Sequence, residues 1–134
     1  MKIIDLHVHS LVSDGSYTPH DLAVHAKEVG LSAFALTDHD NMAGNAEAAA
    51  AAEEQGLDFI NGMELTTDFE GRKLHIVCLG FDPEHPAFQK LYKEVRRVKE
   101  GRIPEIVDYV RAKGIDISMD KVLPYAYGKT LDRY

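Results

Sequence analysis

Hydrophobic residues fall into four short runs separated by polar or amphipathic stretches. Lys2–His9, Ala33–Thr37, Asp58–Leu65 and Lys73–Phe81 are rich in Ile, Val, Leu and Phe. Runs this short and this apolar predict strands covered on both faces. After the first run the period changes. Thr18 stands as a helix cap, Pro19 at the first helical position, and Asp21 three residues after the cap, the pattern of a capping box. Leu22, Ala23, Ala26 and Val29 then share one helical face, and Gly30 ends it. A second helix is predicted from Ala43 to Gln55. It contains the alanine run Ala48–Ala52, the best helix-forming residue type, and Gly56 stops it. The order strand, helix, strand, helix, strand, strand predicts an α/β fold with a mostly parallel sheet and right-handed crossovers.

A long helical region follows from Pro86. Phe88, Leu91, Tyr92, Val95 and Val98 form its apolar stripe, and Ile106, Val107 and Val110 resume it. Gly101 and Pro104 are expected to kink or divide the helix, and Gly114 to end it. Beyond that, Pro124 and Gly128 interrupt the pattern, with room for one short helix within Ser118–Tyr127.

Composition narrows the class. The 134 residues are 45% hydrophobic and 28% charged, which suits one globular domain rather than a disordered chain. No apolar run approaches the ~20 residues of a membrane helix. The opening MKIIDLHVHS puts Asp5 and two histidines where a signal peptide would carry its apolar core. Cys78 is the only cysteine, so no intramolecular disulfide can form, and a reducing cytoplasm is the expected compartment. Charge is uneven. Residues 1–80 hold 4 Lys/Arg against 13 Asp/Glu, a net of −9, and residues 81–134 hold 11 against 9, a net of +2. An acidic half that also carries most of the histidines repels polyanions unless cations neutralise it.

The first strand ends in Asp5-Leu6-His7-Val8-His9. Alternate side chains share a strand face, so His7 and His9 point the same way, with Asp5 on that face as a candidate to orient one of them. Two neutral imidazoles that close can hold one cation. Alone, such a pair reads as chance, but it ends an apolar strand, where α/β proteins place active sites. Asp14-Gly15 follows in the next loop, Thr37-Asp38-His39-Asp40 closes the second strand, Gly62-Met63-Glu64 closes the third, and His75 lies in the fourth. Each alone reads as a turn or a cap. Together, every strand delivers a histidine or a carboxylate to one edge of the sheet, and a metal site covers all of them.

The segments DLHVHSLVSDG (5–15), LTDHD (36–40), NGMELT (61–66) and KLHIVCLG (73–80) resemble the first four motifs of the PHP family, named for polymerase and histidinol phosphatase. They are most similar to its branch of small phosphoesterases acting on nucleoside 3′,5′-bisphosphates and short RNA ends. The resemblance implies the N-terminal part of a distorted seven-stranded β/α barrel with up to three divalent metal ions. Residues 1–81 would be that barrel portion. Residues 82–134 would be a helical insertion or the start of a further domain. Carried over residue by residue, the resemblance implies His7, His9 and Glu64 around one metal. Glu64 would bridge to a second, also held by His75, and Asp14 and His39 would hold a third. Nitrogen and oxygen donors without thiolate suit Mn²⁺, Zn²⁺ or Fe²⁺. The implied chemistry is phosphomonoester hydrolysis by metal-activated water, with no protein nucleophile. Asp38 and Asp40 would stand behind the ligands or cap a helix. Gly128–Tyr134 loosely resembles an arginine-containing substrate motif, making Arg133 a candidate phosphate ligand.

The family site also draws on a histidine in an Ala-His-Pro type motif and on a Ser-Asp-x-His type motif, and neither pattern occurs here. The chain is therefore expected to be a piece of a longer phosphoesterase with an incomplete site. The competing reading is a short protein that keeps part of the site for metal or nucleotide binding without turnover. A histidinol-phosphatase-type activity is the alternative for the longer enzyme. Exposed sheet edges predict a homodimer, through those edges or by exchange of helices. Lys90, Lys93, Arg96, Arg97, Lys99 and Arg102 read as a solvated helix face or as a contact for a phosphate or an RNA end. His20 and His25 read as helix surface, His85 as a turn residue, and Cys78 as a small buried hydrophobe.

Overall fold

The computed structural model describes residues 2–126, in two compact units that divide between Pro83 and Glu84. The first unit contains β1 (Ile3–Val8), α1 (Pro19–Glu28), β2 (Leu31–Leu36), α2 (Asn45–Gln55), β3 (Asp58–Phe69) and β4 (Arg72–Leu79). Its sheet runs in the order β1-β2-β3-β4. The pairs β1–β2 and β2–β3 are parallel and β3–β4 is antiparallel, so the mostly parallel α/β expectation holds. Thr18 caps α1 by accepting the Asp21 amide at 3.0 Å. Gly56 ends α2 in the left-handed conformation, which glycine adopts without a Cβ penalty.

The core lies between the two helices and one face of the sheet. Leu22, Ala23 and Ala26 of α1 meet Ala48, Ala51 and Ala52 of α2 over Phe34, Leu36 and Leu57. Alanine here does more than favour helix, because its small side chain lets the α1 and α2 backbones approach closely. Phe34 meets Phe59 edge-on at 5.2 Å between ring centroids, a favoured aromatic geometry.

The expectation of strands covered on both faces holds only for β2. Ile3 and Ile4 on β1, and Leu74, Ile76, Val77 and Leu79 on β4, are exposed. The reason is position, since β1 and β4 are the outer strands of this sheet. Cys78 is likewise only half-buried, not the core residue expected from sequence. The turn between β3 and β4 places Glu70 and Gly71 both at positive φ. Such turns match the twist of a hairpin, and Asp68 braces this one by accepting the Gly71 amide at 3.0 Å.

The second unit holds α3 (Pro86–Ala112) and α4 (Met119–Val122), followed by a 3-10 turn at Leu123–Tyr125. Of the two outcomes expected at Gly101 and Pro104, a kink or a division, division does not occur, and α3 runs through both residues. A break would create two new ends with unsatisfied backbone groups and require a second nucleation. A single internal proline removes one hydrogen bond and crowds the carbonyl four residues back, at a cost of about 3 kcal/mol. Ion pairs along the helix, Arg97–Glu94, Arg96–Glu100 and Arg111–Asp108, add support at helical spacing. His85 is the cap of α3, accepting the Ala87 amide on Nδ1 at 3.2 Å.

Candidate metal centre

The end of β1 delivers His7 and His9 to the same side of the sheet, as the alternation of a strand requires. Thr37 pins this end, its amide and its hydroxyl both donating to the Val8 carbonyl at 2.8 and 3.1 Å. The chain then folds back in a tight loop in which the Ser10 carbonyl accepts the amides of Ser13 and Gly15. A Cβ on Gly15 would lie 2.2 Å from the His9 carbonyl oxygen, so only glycine allows this loop to close. That closure brings Asp14 beside His9.

Beyond β2 the segment Thr37–Asp40 continues along β3. The Asp40 amide donates to the Glu64 carbonyl at 2.9 Å, and the Glu64 amide donates to the Asp38 carbonyl at 3.1 Å, setting His39 directly opposite Glu64. Asp40 adopts φ +52°, a strained position for a non-glycine residue. Its Oδ1 accepts the Thr66 amide at 2.7 Å, which holds it there. On the other side of β3, His75 of β4 stands opposite Thr66 and reaches Glu64 by its side chain.

Glu64 is the hub, and only 6% of its surface is exposed. Its Oε2 lies 2.9 Å from His7 Nε2, 3.1 Å from His9 Nε2 and 3.5 Å from His39 Nδ1, while Oε1 lies 3.3 Å from His75 Nδ1. Asp14 meets His9 Nδ1 at 3.2 Å and His39 Nε2 at 3.6 Å. The imidazoles form a continuous row, with centroid separations of 5.1 Å for His7–His9, 4.7 Å for His9–His39 and 5.0 Å for His39–His75. Burial works against a charged Glu64. The hydrogen bond to His7 and the fields of His39, His7 and His9 outweigh it and hold the carboxyl below its ordinary range. Burial depresses His39, against the upward pull of Glu64 and Asp14. The site thus favours a charged carboxylate and a neutral imidazole, the ligating forms of each.

Three trios, His7/His9/Glu64, His9/Asp14/His39 and His39/Glu64/His75, each offer ligand atoms within 4.8 Å of one another. All six histidines and carboxylates named from sequence therefore converge, and a donor set of nitrogen and oxygen without sulfur fits divalent cations. The Asp5 carboxylate accepts the His7 backbone amide at 3.1 Å. Asp38 is fully buried and accepts from Ser10 and Ser13. The cap of α2 is Gly44, so neither Asp38 nor Asp40 caps that helix. Arg133 lies outside the described residues. On α1, His20 is exposed and His25 is half-buried, its ring stacked on Tyr17 at 5.0 Å between centroids.

Sequence reasoning missed Ser10, Ser13 and Asn45. Asn45 holds Gly62 by a reciprocal pair of hydrogen bonds, Nδ2 to the Gly62 carbonyl and the Gly62 amide to Oδ1, both 3.0 Å. This fixes β3 two residues before Glu64. The available signals were slight: a serine directly before Asp14, and an asparagine at a helix start.

A profile of the PHP domain matches residues 5–111. The chain belongs to the PHP family. A PHP relative described as a 5′-3′ exoribonuclease, from Haemophilus influenzae, is 41% identical over 128 residues, covering 96% of this chain and 47% of that protein. A 3′,5′-nucleoside bisphosphate phosphatase of Chromobacterium violaceum is 41% identical over 115 residues, covering 86% of this chain and 40% of that protein. A candidate metal-dependent phosphoesterase of Bifidobacterium adolescentis superposes with a TM-score of 0.85 at 32% identity, over 92% of this chain and 43% of its own. The fold is accordingly a partial PHP barrel, and the chain spans about half the length of the curated relatives it matches.

Proposed function

We propose that the whole protein is a metal-dependent phosphoesterase acting on the phosphomonoester of a nucleotide or of a short RNA end. The observation that carries this reading is the convergence of four imidazoles on the buried carboxylate of Glu64, with Asp14 alongside. Its similarity to a bisphosphate phosphatase and an exoribonuclease supports the substrate class. His7, His9 and Glu64 would hold one cation, Glu64 and His75 a second, and Asp14 and His39 a third, with Mn²⁺, Zn²⁺ or Fe²⁺ suited to these donors. Bound cations would supply an acidified water and charge stabilisation for the phosphoryl oxygens. The protein's own part is to keep Glu64 ionised and His39 neutral, and to fix all six side chains on strand ends. The surrounding acidity makes cation loading a condition for binding a phosphorylated substrate. Arg133 is the candidate ligand for that phosphate. Residues 1–81 would form the N-terminal part of the barrel in a cytoplasmic enzyme.

The test uses the full-length protein with Mn²⁺. Phosphate release is compared for a 3′,5′-bisphosphonucleoside, a 5′-phosphorylated short RNA and histidinol phosphate. The nucleotide and RNA substrates should turn over. His7→Ala, His39→Ala and Glu64→Ala should each lose about 100-fold or more in rate and bind less metal. Wild-type activity and metal content in these variants would refute the assignment. Turnover of histidinol phosphate alone would move the protein to that branch of the family.

A further inference from the structure

Behind the metal-centre residues lies a hydrogen-bond chain that ends on one nitrogen of His9. It begins at Asp38, whose residue is 0% exposed. A carboxylate wholly removed from water needs donors. Oδ1 receives the Ser10 amide and the Ser13 hydroxyl, both at 2.7 Å, and Oδ2 receives the Ser10 hydroxyl at 2.7 Å. The Ser10 hydroxyl gives its proton to Asp38 and with a lone pair accepts the Val12 amide at 3.2 Å.

Ser13 has one proton and three polar neighbours. Asp38 Oδ1 lies at 2.7 Å, Asp14 Oδ1 at 3.2 Å and His9 Nδ1 at 3.4 Å. The short contact to the fully buried carboxylate takes the proton, since charge-assisted O–H···O bonds are the shorter and stronger ones. The Ser13 oxygen then has only lone pairs left for its other neighbours. His9 Nδ1 thus faces two acceptors at once, Ser13 Oγ at 3.4 Å and Asp14 Oδ1 at 3.2 Å. Acceptors on both sides of one ring nitrogen favour a proton on it. The other nitrogen, Nε2, faces one acceptor, Glu64 Oε2 at 3.1 Å, and that oxygen already takes the shorter 2.9 Å contact with His7 Nε2, so the greater demand for a proton falls on Nδ1.

We infer that Ser13, locked by Asp38, is a positioning residue that holds the His9 proton on Nδ1 and presents the Nε2 lone pair beside His7 and Glu64. The cation in this inference rests on the metal-centre reading above, whereas the proton assignment does not. It also separates two of the overlapping trios. A protonated Nδ1 is closed to a metal ion, so His9 serves the His7/Glu64 position through Nε2, and Asp14 and His39 must find their further donors elsewhere.

The experiment uses the ¹⁵N-labelled full-length protein and two variants, Ser13→Ala and Ser13→Thr. In the metal-free protein, at a pH where histidine is neutral, two-bond proton–nitrogen correlations report the His9 tautomer. Wild type should carry the proton on Nδ1. Ser13→Ala should shift His9 toward the Nε2-protonated form, with Glu64 as its acceptor, and weaken Mn²⁺ binding about 10- to 100-fold. Ser13→Thr keeps the hydroxyl and should retain both properties. A wild-type His9 protonated on Nε2 overturns the inference, and that spectrum alone decides if Ser13→Ala does not fold. So does a folded Ser13→Ala with unchanged tautomer and Mn²⁺ affinity, or a folded Ser13→Thr that behaves like Ser13→Ala. A wild type that binds no Mn²⁺ yet keeps the Nδ1 proton refutes the metal reading and leaves the tautomer assignment standing.

Discussion

Glu64 and His39 are linked through opposite ionisation demands, and this gives the metal-free chain a defined pH response. His39 is pushed below 6.5 chiefly by burial, so the unfolded chain binds that proton more readily. Its contribution to stability is complete above pH 6.5 and is lost as pH falls through the folded value. Glu64 lies below its ordinary 4.5 despite burial, because of His7 and the neighbouring imidazoles. That contribution persists above pH 4.5 and disappears as acid reaches the folded value. Thermal melts without metal should therefore show Tm level near neutrality and declining in two stages on acidification, and a flat profile down to pH 4 would contradict the account. Gly15 offers a sharper local test. Gly15→Ala drives a Cβ into the His9 carbonyl and should cost about 3 kcal/mol, the upper part of the usual range, with loss of metal binding; urea unfolding and Mn²⁺ titration would measure both. The pairing of His7 and His9 was legible from strand alternation, and the set of six candidate ligands from the resemblance to the family's motifs. Ser13 and Asp38 were not legible as a unit, because their contact joins two loops separated by 25 residues, and no local period encodes such a meeting.

At the level of elements, β3 organises the site. It pairs in parallel with β2 and antiparallel with β4, so it gathers residues from both kinds of connection around Glu64. Asn45 secures it. A Cβ on Gly62 would lie 2.7 Å from the Leu36 carbonyl oxygen, which shows how closely β3 and β2 approach at this point. Asn45→Ala removes both hydrogen bonds to Gly62 and should destabilise by roughly 1–3 kcal/mol, with weaker Mn²⁺ binding; a variant with unchanged denaturation midpoint and affinity would remove Asn45 from the account. The helix starts and the glycine stops were legible because each is set by neighbours in sequence. For α3, Gly101 and Pro104 left a kink and a division both open, because local residue type does not weigh the penalty of making new helix ends. Arg97 and Glu94 form an exposed pair on α3, and Arg97→Ala should leave thermal stability unchanged within error.

Across the whole molecule, the sheet has β1 and β4 as its outer strands, both carrying exposed Ile, Leu or Val. Open edges of this kind recruit further strands. The chain by itself should self-associate, with a light-scattering mass above 14.9 kDa, and a strictly monomeric mass up to high concentration would contradict this. The arrangement of the candidate ligands has a temporal side as well. His7, His9, Asp14, His39, Glu64 and His75 occur in the order in which a ribosome releases them, and all precede the end of the first unit at Pro83. The strands that carry them are consecutive in the chain and pair as neighbours, so each can dock as it follows the last out of the ribosome. Under the proposed metal reading, cation capture would then begin during synthesis. An arrested nascent chain exposing residues 1–83 should retain Mn²⁺, and its His39→Ala counterpart should retain less.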